Sequence, residues 1–290
     1  MNILVTGANG QLGNEICLLG SGSANRYFFT DIADLDITSK KDIQTFVINN
    51  EISIIINCAA YTAVEKAEDD FEKADLVNHI AVKNLAEVSR EKDTVLVHIS
   101  TDYVFGGVGN LPFLENDKVD PLGVYGKTKL DGENSILNIG CKALIFRTAW
   151  LYSSFGNNFV KTIIKLTSER ESIKVVYDQI GSPTYAGDLA KVIFDIVEKK
   201  KYVGNEGIYH FTNEGVISWY DFAVEIANLV GNNKCKIIPC RSEEFPTKVK
   251  RPAYSVLDKA KIKKTFGIDI PYWKDSLKKG IKKIYENNAK

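Results

Sequence analysis

The chain has 290 residues, which is enough for one large domain or for two joined lobes with a cleft between them. Its 37 lysines and arginines balance its 37 aspartates and glutamates, so it lacks the broad positive field that sequence-independent binding to nucleic acid or to an anionic membrane requires. The composition therefore argues against these two partner classes and favours a small-molecule ligand.

The cysteines and the first residues bear on the cellular compartment. The five cysteines form no C-x-x-C pair and no histidine stands at metal-ligand spacing, so Cys235 and Cys240 are expected to be ordinary buried thiols. The first residues lack the charged region and cleavage site of an export signal. No uncharged apolar run approaches the roughly 18 residues of a spanning helix. The sequence therefore predicts a cytoplasmic protein.

Short apolar runs rich in β-branched residues alternate with amphipathic stretches in the first half of the chain. The predicted strands are residues 3–6, 27–30, 52–57, 94–99 and 143–147. The predicted helices are residues 12–19, 40–49, 73–92 and 125–137. Such alternation predicts right-handed βαβ units, and hence an α/β fold with a doubly wound, Rossmann-like parallel sheet.

After Trp150 the pattern loosens and four prolines interrupt it. Further predicted strands are residues 173–177 and 208–212, and further predicted helices are residues 185–199, 218–230 and 273–287. We expect residues 1–150 to form a dinucleotide-binding domain. Residues 151–290 are expected to form mainly a smaller mixed α/β substrate lobe, with some segments returning to the sheet.

The first predicted strand runs directly into a glycine-rich turn and an amphipathic helix. Gly7 permits the tight turn, Gly10 lets the backbone approach a pyrophosphate, and Gly13 lets the helix lie close to the sheet. Asp31 closes the second strand, where a carboxylate can accept hydrogen bonds from ribose hydroxyls and repel a 2′-phosphate. This pattern favours NADH, and the nearby cations Arg26, Lys40 and Lys41 keep NADPH open as the alternative.

A tyrosine and a lysine four residues apart lie on the same face of a predicted helix. Tyr125 is the expected proton donor to a carbonyl oxygen, and Lys129 is expected to lower its pKa and to bind the nicotinamide ribose. Thr101 follows the fourth strand at the carboxyl edge of the sheet and is expected to hold the same carbonyl oxygen. The three histidines, His79, His98 and His210, are scattered and are interpreted as structural.

These motifs together resemble the extended short-chain dehydrogenase/reductase family. The residues that carry the resemblance are Gly7-x-x-Gly10-x-x-Gly13, Asn57-Cys58-Ala59-Ala60, Ser100-Thr101-Asp102 and Tyr125-x-x-x-Lys129. Within it, the segments CAAYTAVEKAE, HISTDYVFGG, PLGVYGKTKLDGE, IFRTAWLY, GNNFVKT and DQIGSPT are similar to the dTDP-4-dehydrorhamnose reductase family. The last third matches more loosely, mainly through Arg251-Pro252. The resemblance implies an NAD(P)H-dependent oxidoreductase that reduces the C4 ketone of dTDP-4-dehydro-L-rhamnose, in the biosynthesis of nucleotide sugars and cell-surface polysaccharides.

The resemblance also implies binding residues. For the cofactor they are Gly10, Gln11 and Leu12 at the phosphates, Asp31, Asp36 and Ile37 around the adenosine, and Ala60, Tyr61, Thr62 and Ile99 along the dinucleotide. For the sugar they are Val64, Thr101, Asp102, Tyr103 and Trp150, with Asn158 and Arg251 for the diphosphate.

Some members of this family bind Mg²⁺ between the subunits of a homodimer, and Glu15 matches one ligand position. Gly187 stands where a second glutamate would align, with Asp188 shifted by one residue. Any Mg²⁺ is therefore expected to be non-catalytic, and a homodimer stays an open expectation.

Two other functions are compatible with the same resemblance. A nucleotide-sugar dehydratase or epimerase shares the fold, but dehydratases carry Asp-Glu after the threonine, whereas Asp102 is followed here by Tyr103. A non-enzymatic regulatory subunit, like the partner of methionine adenosyltransferase, would not need Thr101, Tyr125 and Lys129 together. Both observations favour the reductase.

Overall fold

The computed structural model describes residues 1–288, and a six-stranded parallel sheet lies at its centre in the order β2-β1-β3-β4-β5-β10. The strands of the described residues are β1 (Asn2–Thr6), β2 (Arg26–Thr30), β3 (Ile52–Asn57), β4 (Val95–Thr101), β5 (Ala143–Thr148), β6 (Leu151–Tyr152), β7 (Ser172–Val176), β8 (Ile180–Gly181), β9 (Thr184–Tyr185), β10 (Gly207–His210), β11 (Ile217–Ser218) and β12 (Lys236–Cys240). The predicted doubly wound, Rossmann-like sheet is confirmed.

Helices cover both faces of this sheet. The α-helices are α1 (Gln11–Gly20), α2 (Lys40–Asn49), α3 (Val64–Ala67), α4 (Phe71–Asp75), α5 (Ala81–Glu91), α6 (Val124–Ile139), α7 (Phe159–Glu169), α8 (Ala186–Glu198), α9 (Trp219–Val230), α10 (Ala260–Phe266) and α11 (Trp273–Asn288). In the described residues, no helix combines the length and the apolar character needed to cross a membrane.

Successive side chains of each strand point to opposite faces of the sheet, so the sheet has one layer of core on each face. In β1, Ile3 and Val5 pack against α1 and α8, whereas Leu4 packs against α2 and α5 on the opposite face. Because both faces are buried, the strands read as almost continuous apolar runs in the sequence.

The second half of the chain contributes a mixed lobe and also returns to the sheet. β7 pairs in parallel with β12, and β8 pairs antiparallel with β11. The aromatic side chains of Tyr152, Phe222 and Trp273 are buried in the core of this lobe. β10 extends the main sheet beside β5, and α8 packs against α1. The short strands β6, β8, β9 and β11 have too few residues to give a periodic sequence signal.

One predicted helix is wrong as a continuous element. Residues 73–92 contain the end of α4, a π-helical turn (Leu76–Ile80) and then α5. The wider turn buries the side chain of Asn78, whose Nδ2 donates to the carbonyl of Tyr61 in the loop after β3 and to Thr128 Oγ1 on α6. A hydrophobic period cannot reveal this turn, because the turn depends on tertiary hydrogen bonds.

A buried ion pair fastens α6 to β5. Arg147 Nη2 lies 2.6 Å from Glu133 Oε2, and both side chains are almost fully buried. The Glu133 carboxylate also accepts a hydrogen bond from the Ser100 hydroxyl of β4. The helix that carries Tyr125 and Lys129 is thereby fixed to two central strands.

Arg147→Leu should destabilise the protein by about 3–5 kcal/mol, because it leaves the Glu133 carboxylate buried without its counter-charge. The double variant Glu133→Leu/Arg147→Leu removes both charges and should recover part of that loss. Urea unfolding of both variants and the wild type measures the difference. A double variant that is less stable than the single variant would contradict this account of the pair.

Candidate active site

The glycine turn between β1 and α1 needs the absence of side chains. Gly7 has a φ of +64°, and a Cβ at this position would lie 2.6 Å from the Ala59 backbone. A Cβ on Gly13 would lie 2.2 Å from the carbonyl oxygen of Gly7. The turn therefore closes tightly and places the N-terminus of α1 at the carboxyl edge of the sheet, where a pyrophosphate can be bound.

A cavity of about 300 Å³ opens beside this turn. Its lining includes the predicted cofactor residues Gly7, Gly10, Asp31, Asp36, Ile37 and Ala60. Asp31 is positioned by two backbone N–H groups, since its carboxylate accepts hydrogen bonds from Asn9 at 3.0 Å and Ile32 at 2.8 Å. The structure therefore brings most of the predicted adenosine and phosphate residues together.

The remaining predicted cofactor residues lie around this cavity without lining it. Gln11 and Leu12 begin α1, and Gln11 Oε1 accepts a hydrogen bond from Asn158 of the second lobe. Tyr61 is held by Asn78 through its backbone N–H and carbonyl groups, and Thr62 follows it. The carbonyl of Ile99 accepts a hydrogen bond from the Lys129 ammonium group at 2.6 Å.

Tyr125 lies at the start of α6, directly against the end of β4. A Cβ on Gly126 would lie 2.2 Å from the Tyr103 carbonyl oxygen, so glycine allows this close approach. The rings of Tyr103 and Tyr125 meet edge to face at 5.6 Å, and Thr101 forms a side-chain hydrogen bond with Tyr125. The predicted triplet of Thr101, Tyr125 and Lys129 thus occupies one buried corner at the carboxyl edge.

Burial shifts the pKa values of Tyr125 and Lys129 in opposite directions. Burial raises the pKa of Tyr125 to about 12, although the hydrogen bond with Thr101 opposes the shift. Burial lowers the pKa of Lys129 to about 8, while Glu133 and Cys58 oppose that shift. Burial is the largest influence on the pKa of Tyr125 in this arrangement, and the expected effect of Lys129 on it stays a prediction. The phenol keeps its proton at neutral pH, as a proton donor must.

Asp102 is a buried carboxyl beside the same corner and is 2% exposed. Burial raises its pKa to about 6, against hydrogen bonds from Ser255 and Thr101. In the described residues, its Oδ2 atom has no hydrogen-bond partner. Asp102 therefore keeps one buried acceptor oxygen unpaired at the edge of the site.

The predicted sugar and diphosphate residues lie on the side of the second lobe. Trp150, with a φ of +48°, stacks on Trp219 at 3.6 Å between ring centroids. Arg251 Nη2 donates to Glu65 Oε1 at 3.0 Å. Trp219 and Arg251 also line a cavity of about 780 Å³, together with Phe159.

Of two further predicted residues, Asn158 has a side chain that is already engaged within the protein. Asn158 caps α7 by accepting from the backbone N–H of Lys161, and its amide also donates to Gln11. Val64 is the first residue of α3. Neither observation tests a ligand contact.

The Glu15 carboxylate does not fit a Mg²⁺ ligand. It is 2% exposed, and Oε1 accepts hydrogen bonds from Ser153 at 2.7 Å and Tyr185 at 3.4 Å. Oε2 lies 3.4 Å from the Lys283 ammonium group. Hydroxyl donors and a cation therefore occupy its lone pairs, and Asp188 accepts instead from an amide and a hydroxyl group elsewhere. The expectation of a Mg²⁺ site has no support in the described residues.

The chain is similar to known proteins over nearly its whole length. Residues 1–286 match the family model described as RmlD substrate binding domain. A dTDP-4-dehydrorhamnose reductase from Aggregatibacter actinomycetemcomitans is 42% identical over 285 residues, which cover 95% of this chain and 97% of that relative. The chain belongs to the dTDP-4-dehydrorhamnose reductase family. The resemblance inferred from the sequence motifs is confirmed.

Solved structures of this reductase family share the fold in detail. A dTDP-4-dehydrorhamnose reductase from Clostridium acetobutylicum has a TM-score of 0.93 and 46% identity, covering 97% of this chain and 99% of its own. The Bacillus anthracis reductase, solved in complex with NADP, has a TM-score of 0.89 and 38% identity, covering 97% and 98%.

Sequence reasoning missed several residues that the fold of this chain brings to the site. Trp219 supports Trp150, Ser255 bonds to Asp102, and His98 contacts Lys129. His98 was interpreted as structural, although its place on β4 three residues before Thr101 was a usable signal. Trp219 and Ser255 are distant in sequence and follow no motif, so only the fold brings them close.

Asp102→Asn should remove a pH-dependent loss of stability. The pKa of the folded carboxyl is raised from 3.8 to about 6, so folding favours the protonated form. The stability that it contributes is complete below the lower value and is lost as pH rises through the higher one. Between about pH 5 and about pH 7.5, the free energy of unfolding of the wild type should therefore fall by about 1 kcal/mol more than that of the variant.

Urea unfolding at both pH values measures this difference. Glu72→Gln, at an exposed carboxylate on α4, is the matched control and should follow the wild type. Equal pH dependence of Asp102→Asn and wild type would contradict the raised pKa.

Proposed function

We propose that this protein is an NAD(P)H-dependent dTDP-4-dehydrorhamnose reductase. It reduces the C4 ketone of dTDP-4-dehydro-L-rhamnose to the alcohol of dTDP-L-rhamnose, a nucleotide-sugar precursor of cell-surface polysaccharide. The observation that carries the proposal is the buried corner of Thr101, Tyr125 and Lys129 beside the glycine-turn cavity. The similarity to reductases of this name, over the full length, supports it.

The chain's own residues can bind the cofactor and deliver the proton. A nicotinamide dinucleotide supplies the hydride when it is bound, and its adenosine and phosphates fit the cavity around Gly10 and Asp31. Tyr125 donates its phenolic proton to the C4 oxygen, and Thr101 holds that oxygen in place. Lys129, whose ammonium group donates to the Ile99 carbonyl, would bind the nicotinamide ribose.

NADH is the cofactor that the adenosine site favours. The Asp31 carboxylate would repel a 2′-phosphate, and two of the nearby cations, Lys40 and Arg26, have other partners. Lys40 pairs with Glu87 at 2.6 Å and with Glu91 at 2.8 Å, and the Arg26 guanidinium stacks on Phe28. The Bacillus anthracis relative carries NADP in its structure, so the preference has to be measured on this chain.

The second lobe supplies the nucleotide site. The diphosphate would lie between Arg251 and the N-terminus of α7, which Asn158 caps, and the base would enter the cavity lined by Phe159 and Trp219. Val64, Tyr103 and Trp150 would surround the sugar, and Asp102 would accept a hydrogen bond from one of its hydroxyl groups. In this division, residues 1–150 bind the dinucleotide and residues 151–290 mainly bind the substrate.

The site argues against the two other functions. Dehydration needs an additional acid and base, but Asp102 is followed by Tyr103, whose ring packs on Tyr125. A regulatory subunit would not require the buried triplet. The free cysteines and the soluble substrates support a cytoplasmic location. A homodimer stays a prediction, which a measurement of the molecular mass in solution would test.

The purified protein should oxidise one NAD(P)H for each molecule of dTDP-4-dehydro-L-rhamnose and yield dTDP-L-rhamnose. Absorbance of the reduced nicotinamide measures the reaction, and mass together with sugar configuration identifies the product. Tyr125→Phe keeps the ring but loses the proton donor, so its turnover should fall by about 10²-fold or more. An epimerase would interconvert sugars with no net oxidation. A folded, NADH-binding preparation that oxidises no cofactor would overturn the proposal.

Asp31→Ala should move the cofactor preference toward NADPH, because it removes the charge that repels the 2′-phosphate. The ratio of kcat/KM for NADH and NADPH before and after the substitution measures the change. Asp42→Ala is the matched control, since Asp42 is exposed in the first turn of α2 and does not line the cavity. An unchanged ratio in Asp31→Ala would show that Asp31 does not contact the adenosine ribose.

A further inference from the structure

A chain of buried polar side chains crosses the sheet and ends at Lys129. Asn57 of β3 and His98 of β4 are register partners, and both are fully buried. Asn57 Nδ2 lies 3.1 Å from His98 Nδ1, and His98 Nε2 lies 3.3 Å from Lys129 Nζ. The imidazole therefore joins an amide on one side to the active-site lysine on the other.

The orientation of the Asn57 amide follows from its other neighbours. Its Oδ1 atom accepts a hydrogen bond from the backbone N–H of Ala59 at 3.1 Å and another from the Thr6 hydroxyl at 2.7 Å. A backbone N–H can only donate, so the atom that faces Ala59 must be the amide oxygen. The amide nitrogen must then face His98.

This orientation fixes the tautomer of His98. Asn57 Nδ2 can only donate, so Nδ1 of His98 accepts and carries no proton. A neutral imidazole then carries its proton on Nε2, the atom that faces Lys129. Burial, and then the Lys129 charge, lower the pKa of His98 well below its ordinary value, which is consistent with a neutral ring.

The consequence falls on Lys129. A fully protonated ammonium would present an N–H to the N–H of His98, which is a repulsive contact in a site of low dielectric. A neutral amine has a lone pair that can accept from His98 while a remaining N–H donates to the Ile99 carbonyl at 2.6 Å. The hydrogen-bond directions therefore favour loss of a proton from Lys129.

We propose that Asn57 and His98 are positioning residues that, through the Nε2–H of His98, favour the neutral amine of Lys129 and so control the exchange of a proton between Lys129 and Tyr125. This inference rests on the proposed role of Tyr125 and Lys129 in carbonyl reduction. After Tyr125 transfers its proton to the substrate alkoxide, Lys129 returns a proton to the phenolate and becomes neutral. Solvent then restores the ammonium, so each turnover consumes one proton with one hydride.

Other groups that act on Lys129 do not replace His98 in this role. Glu133 lies one turn further along α6 and is paired with Arg147, and Cys58 follows β3 as a thiol whose pKa burial raises. Tyr125 keeps its proton at neutral pH. Glu133 and Cys58 oppose the loss of a proton from Lys129, whereas burial, which lowers its pKa to about 8, acts in the same direction as His98.

The tautomer can be tested without any activity measurement. The full-length protein is labelled with ¹⁵N-histidine, and the resonances of His98 among the three histidines are identified by their loss in His98→Gln. At neutral pH, His98 should show an unprotonated Nδ1 and a protonated Nε2. A proton on Nδ1, or a cationic ring, would overturn the inference even if the reductase activity is present.

Asn57→Asp tests the consequence for Lys129. A carboxylate accepts from Nδ1–H of His98, so the other tautomer becomes favourable and Nε2 turns into an acceptor for the ammonium. The alkaline limb of the pH profile of kcat should move upward by about one pH unit. The double variant Asn57→Asp/His98→Gln should have the same alkaline limb in its kcat profile as His98→Gln alone.

The comparison separates an effect that passes through His98 from a direct effect of the new carboxylate charge on Lys129. An equal upward shift with and without His98 would mean that the new carboxylate acts directly on Lys129, and no shift in Asn57→Asp would mean that His98 does not set its proton affinity. Either result would overturn the proposal. If His98→Gln does not fold, the resonances of His98 are assigned as those that remain in both His79→Gln and His210→Gln. The tautomer of His98 in the wild type then decides whether the proposal holds.

Discussion

The close seating of α6 on the end of β4 is the constraint on which the site depends. Gly126 lets the helix approach to the point where any side chain would collide with the Tyr103 carbonyl. The Arg147–Glu133 pair then fastens the same helix to β5, and Ser100 ties it to β4. Tyr125 and Lys129 are thus held between central strands, with little freedom to leave the carboxyl edge of the sheet.

Burial at this place also determines the electrostatics. The same loss of hydration keeps the proton on the phenol of Tyr125, raises the pKa of the Asp102 carboxyl and lowers the pKa of Lys129. Burial thus moves the pKa of Tyr125 away from neutrality and the pKa of Lys129 toward it. Tyr125 can then act as the proton donor, and Lys129 can supply the proton that replaces the one donated. The direction of the hydrogen bonds of Asn57 and His98 further favours loss of a proton from Lys129.

The second lobe is joined to the dinucleotide site by specific polar contacts as well as by the chain. Asn158 at the start of α7 donates to Gln11 at the start of α1, and Ser153 donates to Glu15 one turn further along that helix. On the opposite side of the cleft, Arg251 bonds to Glu65 of α3. Residues expected to bind substrate or metal therefore also hold the two parts of the site in register, which a motif comparison does not reveal.

The sequence by itself determined the sheet, the glycine turn, the family and the triplet of Thr101, Tyr125 and Lys129. These features depend on local periodicity and on short spacings, because strand ends and helix faces follow directly from the positions of residues along the chain. The tertiary structure alone decided the π-helical turn at Asn78, the engagement of Glu15, the stacking of Trp219 and the contact of His98 with Lys129. Each depends on groups far apart in the sequence, and the pKa values depend on burial that only packing produces.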